Sequence, residues 1–140
     1  MNRRLRVASI LLYIISGVAI LYGFVYMFTP RIMPYHERFL GVTQDKLDPK
    51  VIFLILTLLK GAGAASIAMG VGIAMLVKGP FSKGDNWVRW TIFIMLILAL
   101  VPVMIITLNI GMYTPWWLIC VMITMVLIAM IISRPEAENR

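Results

Sequence analysis

Four stretches of the chain stay apolar over 7–28, 51–77, 87–108 and 115–133. A hydrocarbon core about 30 Å thick needs about 20 apolar residues in an α-helix. Each stretch therefore predicts a transmembrane helix. Polar residues gather between them, in the head MNRRLR, the loop TPRIMPYHERFLGVTQDKLDPK, the turn GPFSKGDNWVR, and the tail after Ser133. This pattern predicts an all-α fold, an integral membrane four-helix antiparallel bundle, with residues 1–140 forming a single transmembrane domain. The connecting loops are too short to fold separately. The first run is too long for the apolar core of a signal peptide, and no clear A-x-A site follows it.

The second stretch carries the most detailed signals. Asp48 suits an N-cap and Pro49 the first helical position; Lys78 and Gly79-Pro80 are expected to stop the helix. Ala62, Ser66, Gly70 and Ala74 recur every four residues, and Gly61, Ala65, Ala68 and Gly72 widen that stripe. Lipid tails are as apolar as leucine, so membrane helices associate by close backbone approach, which small residues permit. The stripe is expected to be the inner seam of the bundle, or a homo-oligomer contact, or the wall of a ligand cavity. In the first stretch Ser9, Ser16 and Gly23 recur every seven residues and mark another seam.

Shorter signals fill in the connections. The outer loop 29–50 is expected to hold a short interfacial helix over 34–40, opened by Pro34 and closed by Gly41. Ile32, Met33, Phe39 and Leu40 would hold it to the bilayer surface or the bundle mouth. Asp85 or Asn86 suits the cap of the third long helix, and Pro102 is expected to kink it or free a carbonyl. Asn109 either terminates that helix or faces the bundle. Thr114 is expected to cap the fourth helix and Pro115 to start it.

Composition sharpens the class. The chain is 61% hydrophobic and carries a net charge of +7. In a soluble protein that charge would suggest nucleic acid. Here the basic residues flank apolar runs, which is the mark of membrane orientation. With the N-terminus inside, Arg3, Arg4, Arg6, Lys78, Lys83, Arg89, Arg134 and Arg140 fall on one side. Arg31, Arg38, Lys46 and Lys50 fall on the other. The excess favours a multi-pass protein of the bacterial inner membrane with both termini cytoplasmic. The lone cysteine, Cys120, sits in an apolar run and reads as a packing residue.

Candidate chemistry is sparse. Lys60 interrupts the second apolar stretch. It either snorkels to the outer interface or sits deep and needs an anion, a carbonyl or a water-filled cavity. Tyr22 and Tyr26, one turn apart, suit an aromatic belt or rings stacked on a ligand. His36 is the sole histidine, and one histidine makes a poor metal site. It reads as interfacial, or as a ligand-contacting or proton-handling group. Trp116 and Trp117 place indoles at the same interface. Together Lys60, His36, Tyr22, Tyr26 and Trp116 form a tentative ligand site at the outer mouth, suited to a quinone headgroup or an anionic lipid. No nucleophile–base pair, catalytic residue or metal cluster is legible, and the sequence names no cofactor.

The segments YGFVYMFTPRIMPYHERFLGV and LLKGAGAASIAMGVGIAML resemble small four-helix DoxX-like bacterial membrane proteins over residues 22–76. The resemblance implies a four-helix membrane fold and a link to quinone oxidoreductase subunits. Lys60 stands where a carboxylate is expected in that pattern, and no catalytic residue transfers. The sequence thus favours a non-enzymatic accessory or lipophilic small-molecule-binding protein. A quinone-linked redox subunit and a small transporter acting as an oligomer are the alternatives.

Overall fold

The computed structural model describes residues 2–134. Residues 135–140 of the polar tail, among them Arg140 of the charge count, lie outside the described residues. The fold is all-helical. Its α-helices are α1 (Arg3–Phe28), α2 (Pro34–Leu40), α3 (Pro49–Leu76), α4 (Asn86–Ile110) and α5 (Trp116–Ile132). Three helical segments are long and apolar enough to cross a membrane: Arg3–Phe28, Pro49–Phe81 and Asn86–Ile110. The fourth apolar helix, α5, is shorter, with 17 residues.

Local chemistry accounts directly for two of the helix ends. The Asp48 carboxylate accepts from the Lys50 N–H at 2.7 Å, capping α3 just before Pro49. Gly41 closes α2 with φ +68°, a left-handed conformation that glycine adopts without strain. The basic head is helical from Arg3, in keeping with the helix propensity of arginine and leucine.

Two expected boundaries fail. Gly79-Pro80 does not stop the helical run that begins with α3. A π-helical turn over Val77–Phe81 carries the chain onward, and it turns at Gly84, φ +89°. The wider turn relieves the proline ring of its clash with the preceding turn. Buried Val77 and Phe81 hold it in place. At the other end, Thr114 does not cap α5. Its hydroxyl donates backwards to the carbonyls of Gly111 at 2.7 Å and Thr107 at 3.0 Å, tying off α4 instead. Pro115 takes the N-cap position and Trp116 begins the helix.

Helix α1 is the hub. It packs along α3 and also against α5, and α5 packs on α4. The α1–α3 seam runs antiparallel: Gly23 meets Gly63, and Ser16 meets Gly70. Ser16 Oγ donates to the Gly70 carbonyl at 2.6 Å, so the seam is hydrogen-bonded as well as close. The seven-residue series Ser9, Ser16 and Gly23 is buried, as its spacing predicts. The four-residue series on α3 is only partly in the seam. Gly70 is buried there, but Ala62 is exposed and Ser66 half-buried.

The packed core lies toward the end where α1 begins and α5 ends. Ala8, Leu12 and Ile15 of α1 meet Ile73, Val77 and Phe81 there. Val88, Ile92, Leu96 and Leu100 form the inner face of α4 at four-residue spacing. Helices α3 and α4 scarcely touch, which leaves room for a cavity between them.

Candidate functional site

A cavity of about 340 Å³ opens between the helices at the α2 end. Its walls are Leu59, Ala62, Ser66 and Met69 of α3 and Ala99, Val103, Ile106 and Thr107 of α4, with Ile119 and Met122 of α5 at its base. Nearly all of this lining is apolar. The polar groups concentrate at one end, where Tyr22 and Tyr26 of α1 meet Tyr35 and His36 of α2.

Sequence and turn geometry bring these four residues together. Tyr22 and Tyr26 are one turn apart on α1, so both rings project from the same face; their centroids are 4.6 Å apart. The short helix α2 folds back over them. Its position is fixed by Glu37, which accepts from the Gln44 N–H at 2.9 Å, and by Gln44, which accepts from the Ile32 N–H at 2.8 Å. Buried Ile32 anchors the same loop. The short helix over 34–40 thus sits where the sequence predicts it, within a loop held by specific hydrogen bonds.

The phenols form a chain. Tyr22 and Tyr26 hydroxyls lie 3.0 Å apart, and Tyr26 and Tyr35 hydroxyls 2.6 Å apart. Three O–H groups sharing two hydrogen bonds leave one phenolic proton free to donate. Burial pushes the Tyr35 hydroxyl up to about 12, so it stays neutral at ordinary pH. The His36 ring stands edge-on to Tyr35 at 4.4 Å. Its Nδ1 is buried without a hydrogen-bond partner, and burial holds its pKa below the usual imidazole value. A buried polar atom left without a partner costs about 1–3 kcal/mol, which a ligand hydrogen bond would recover.

The structure brings Tyr22, Tyr26 and His36 to one place and leaves Lys60 and Trp116 out of it. Lys60 is exposed and is not part of the cavity lining. Its azimuth explains why. At about 100° per residue, Lys60 lies about 60° to one side of the Gly63 seam, whereas Leu59, Ala62 and Ser66 lie about 40–100° to the other. Trp116 is half-buried in the first turn of α5, outside the lining. Tyr35 is the participant that sequence reasoning missed. Its signal was adjacency to His36 at the start of a helix expected to lie over the tyrosine pair.

The site therefore offers neutral hydrogen-bonding groups above an apolar chamber, with no cationic side chain in the lining. Among the described residues no cluster of three or more His, Cys, Asp or Glu is placed to hold a metal ion. No family model, curated protein or solved structure matches the chain.

Proposed function

We propose that this is a non-enzymatic membrane protein that binds a neutral, lipophilic ring compound bearing hydroxyl or carbonyl oxygens. Quinones and phenols are the fitting chemistry. In this reading the four long helices form an antiparallel bundle in the bacterial inner membrane with both termini cytoplasmic. The charge distribution and the DoxX-like resemblance lead to the same arrangement. The short α5 would span about 26 Å, close to the thickness of the apolar core.

The observation that carries the proposal is the pairing of an apolar cavity with the Tyr22–Tyr26–Tyr35–His36 cluster at one end. Small-molecule sites are typically of about 300–1,000 Å³, mostly apolar, with a few polar groups that fix orientation. A ring carbonyl would accept the spare phenolic proton, and a ring hydroxyl would donate to Nδ1. An anionic lipid fits less well, because the cation expected to recognise it, Lys60, lies outside the cavity.

The test is extraction and mass spectrometry of small molecules that co-purify with the protein. Wild type is expected to retain a ring-bearing lipophile. Ser66→Phe, which fills the chamber, is expected to lose it about tenfold or more, the equivalent of about 1.4 kcal/mol. Lys60→Met is expected to retain it. Equal content in wild type and Ser66→Phe would overturn the site.

A further inference from the structure

The cavity is walled unevenly. At the α2 end, Tyr35 and His36 lie across it. Beyond them the Arg38 guanidinium sits 4.8 Å over the Tyr113 ring, joining α2 to the turn between α4 and α5. Buried Thr114 ties that turn to α4. The wall between α3 and α4 is different. These helices scarcely touch, and residues that line the cavity are also exposed at the protein surface there. Val103 is 47% and Ile106 56% exposed on α4, and Ala62 is exposed on α3. An opening bounded by alanine, valine and isoleucine has no group to hydrate. It faces the surface that apolar helices present to lipid.

We infer that the cavity is loaded from within the bilayer through this slot, and that its ligand is a ring-headed lipid whose single apolar tail lies between α3 and α4. The inference rests on the binding reading above and adds the tail and the route. The polar cluster holds the head at the closed end. The chamber of about 340 Å³ encloses little more than a ring and its first substituents, so a longer tail must leave through the slot. Small Ala62 keeps the slot wide on α3, while the seam residues Gly63 and Gly70 face α1 instead.

The test uses the full chain in lipid nanodiscs loaded with benzoquinones carrying either a short or a long isoprenoid tail, with retained quinone measured by mass spectrometry. Wild type is expected to hold both. Ala62→Trp is expected to lose the long-tailed quinone about tenfold, the effect of displacing about two methylenes from contact, and to lose the short-tailed one by a clearly smaller factor. Val103→Trp, on the opposite lip, is expected to do the same, which guards against a folding defect in either variant. Leu58→Trp, at a position 65% exposed and outside the lining, is the matched control and is expected to leave both unchanged. Undiminished long-tail retention in both lip variants, or equal loss of both quinones, would overturn the slot while leaving the binding reading standing. Wild type that holds neither quinone would sink the binding reading and the slot with it.

Discussion

Gly63→Val will melt at a temperature roughly 10 °C below wild type in detergent or nanodiscs. A Cβ at Gly63 would lie 2.6 Å from the Gly23 carbonyl oxygen and 2.8 Å from the Met27 nitrogen. Both obstacles are backbone, so no rotamer change relieves them, and α1 and α3 must separate. Overpacking of this kind costs about 1–3 kcal/mol, and more where the backbone itself is the obstacle. Separation also weakens the Ser16–Gly70 hydrogen bond further along the same seam. Gly61→Ala, two residues away, has the opposite sign. A Cβ there meets nothing within 4 Å, so only helix propensity acts, and alanine gains about 0.8–1 kcal/mol over glycine. The comparison excludes a general intolerance of α3 to substitution. A Gly63→Val protein that melts with wild type would show that the seam does not hold the helices together.

That contrast also shows what spacing can and cannot reveal. Residues four apart drift by about 40° around a helix, whereas residues seven apart drift by about 20° the other way. A straight partner helix is therefore followed by a seven-residue series. Ser9, Ser16 and Gly23 form such a series, and they are buried as a set. The stripe Ala62, Ser66, Gly70 and Ala74 winds across the helix, so it begins at the cavity and reaches the seam at Gly70. The true seam on α3 is the pair Gly63 and Gly70, also seven apart. The four-residue stripe thus marks the cavity wall at Ala62 and Ser66 and the seam only at Gly70.

Lys60 illustrates a second limit. Depth in the membrane follows from counting residues, but the direction a side chain faces requires knowing which residues touch the neighbour. Once Gly63 is fixed against Gly23 and the cavity lies on the side of Leu59 and Ala62, the helical period puts Lys60 on the opposite side of the seam. Capping was legible where one residue acts on its own chain, as with Asp48 and Gly41. It failed at Gly79-Pro80, where the burial of Val77 and Phe81 stabilises a π turn that local propensity disfavours. The phenol chain was half legible: the spacing put Tyr22 and Tyr26 one turn apart on one face, whereas their hydrogen bond was not read from it and the Tyr26–Tyr35 bond depends on how the loop folds back.

Acidification from pH 7 to pH 5 will destabilise the wild-type protein and release its bound lipophile, and His36→Gln will flatten both responses. His36 is the sole histidine in the chain, and ordinary carboxylates titrate near about 4, so this window reports on one side chain. Burial lowers the His36 pKa in the folded protein, whereas the unfolded chain takes up its proton near about 6.5. Between those two values the unfolded state binds more protons. Stability therefore rises with pH across the window, is fully present above about 6.5, and declines as pH falls toward the folded pKa. The surroundings give the imidazolium no compensation. Tyr35 lies edge-on beside it, and Tyr22 and Tyr26 contribute phenols from α1. The lining from α3, α4 and α5 contains no titratable group. On its own helix, Glu37 is engaged by the Gln44 N–H and Arg38 by the Tyr113 ring. Protonation also removes a neutral imidazole acceptor from the ligand's reach, at about 1 kcal/mol for a typical hydrogen bond, or several-fold in affinity. Thermal melts and extracted-ligand content, measured at pH 5, 6 and 7 for wild type and His36→Gln, test both consequences together. A wild-type melting temperature that is level across this range, or an acid loss that persists in His36→Gln, would remove His36 from the site.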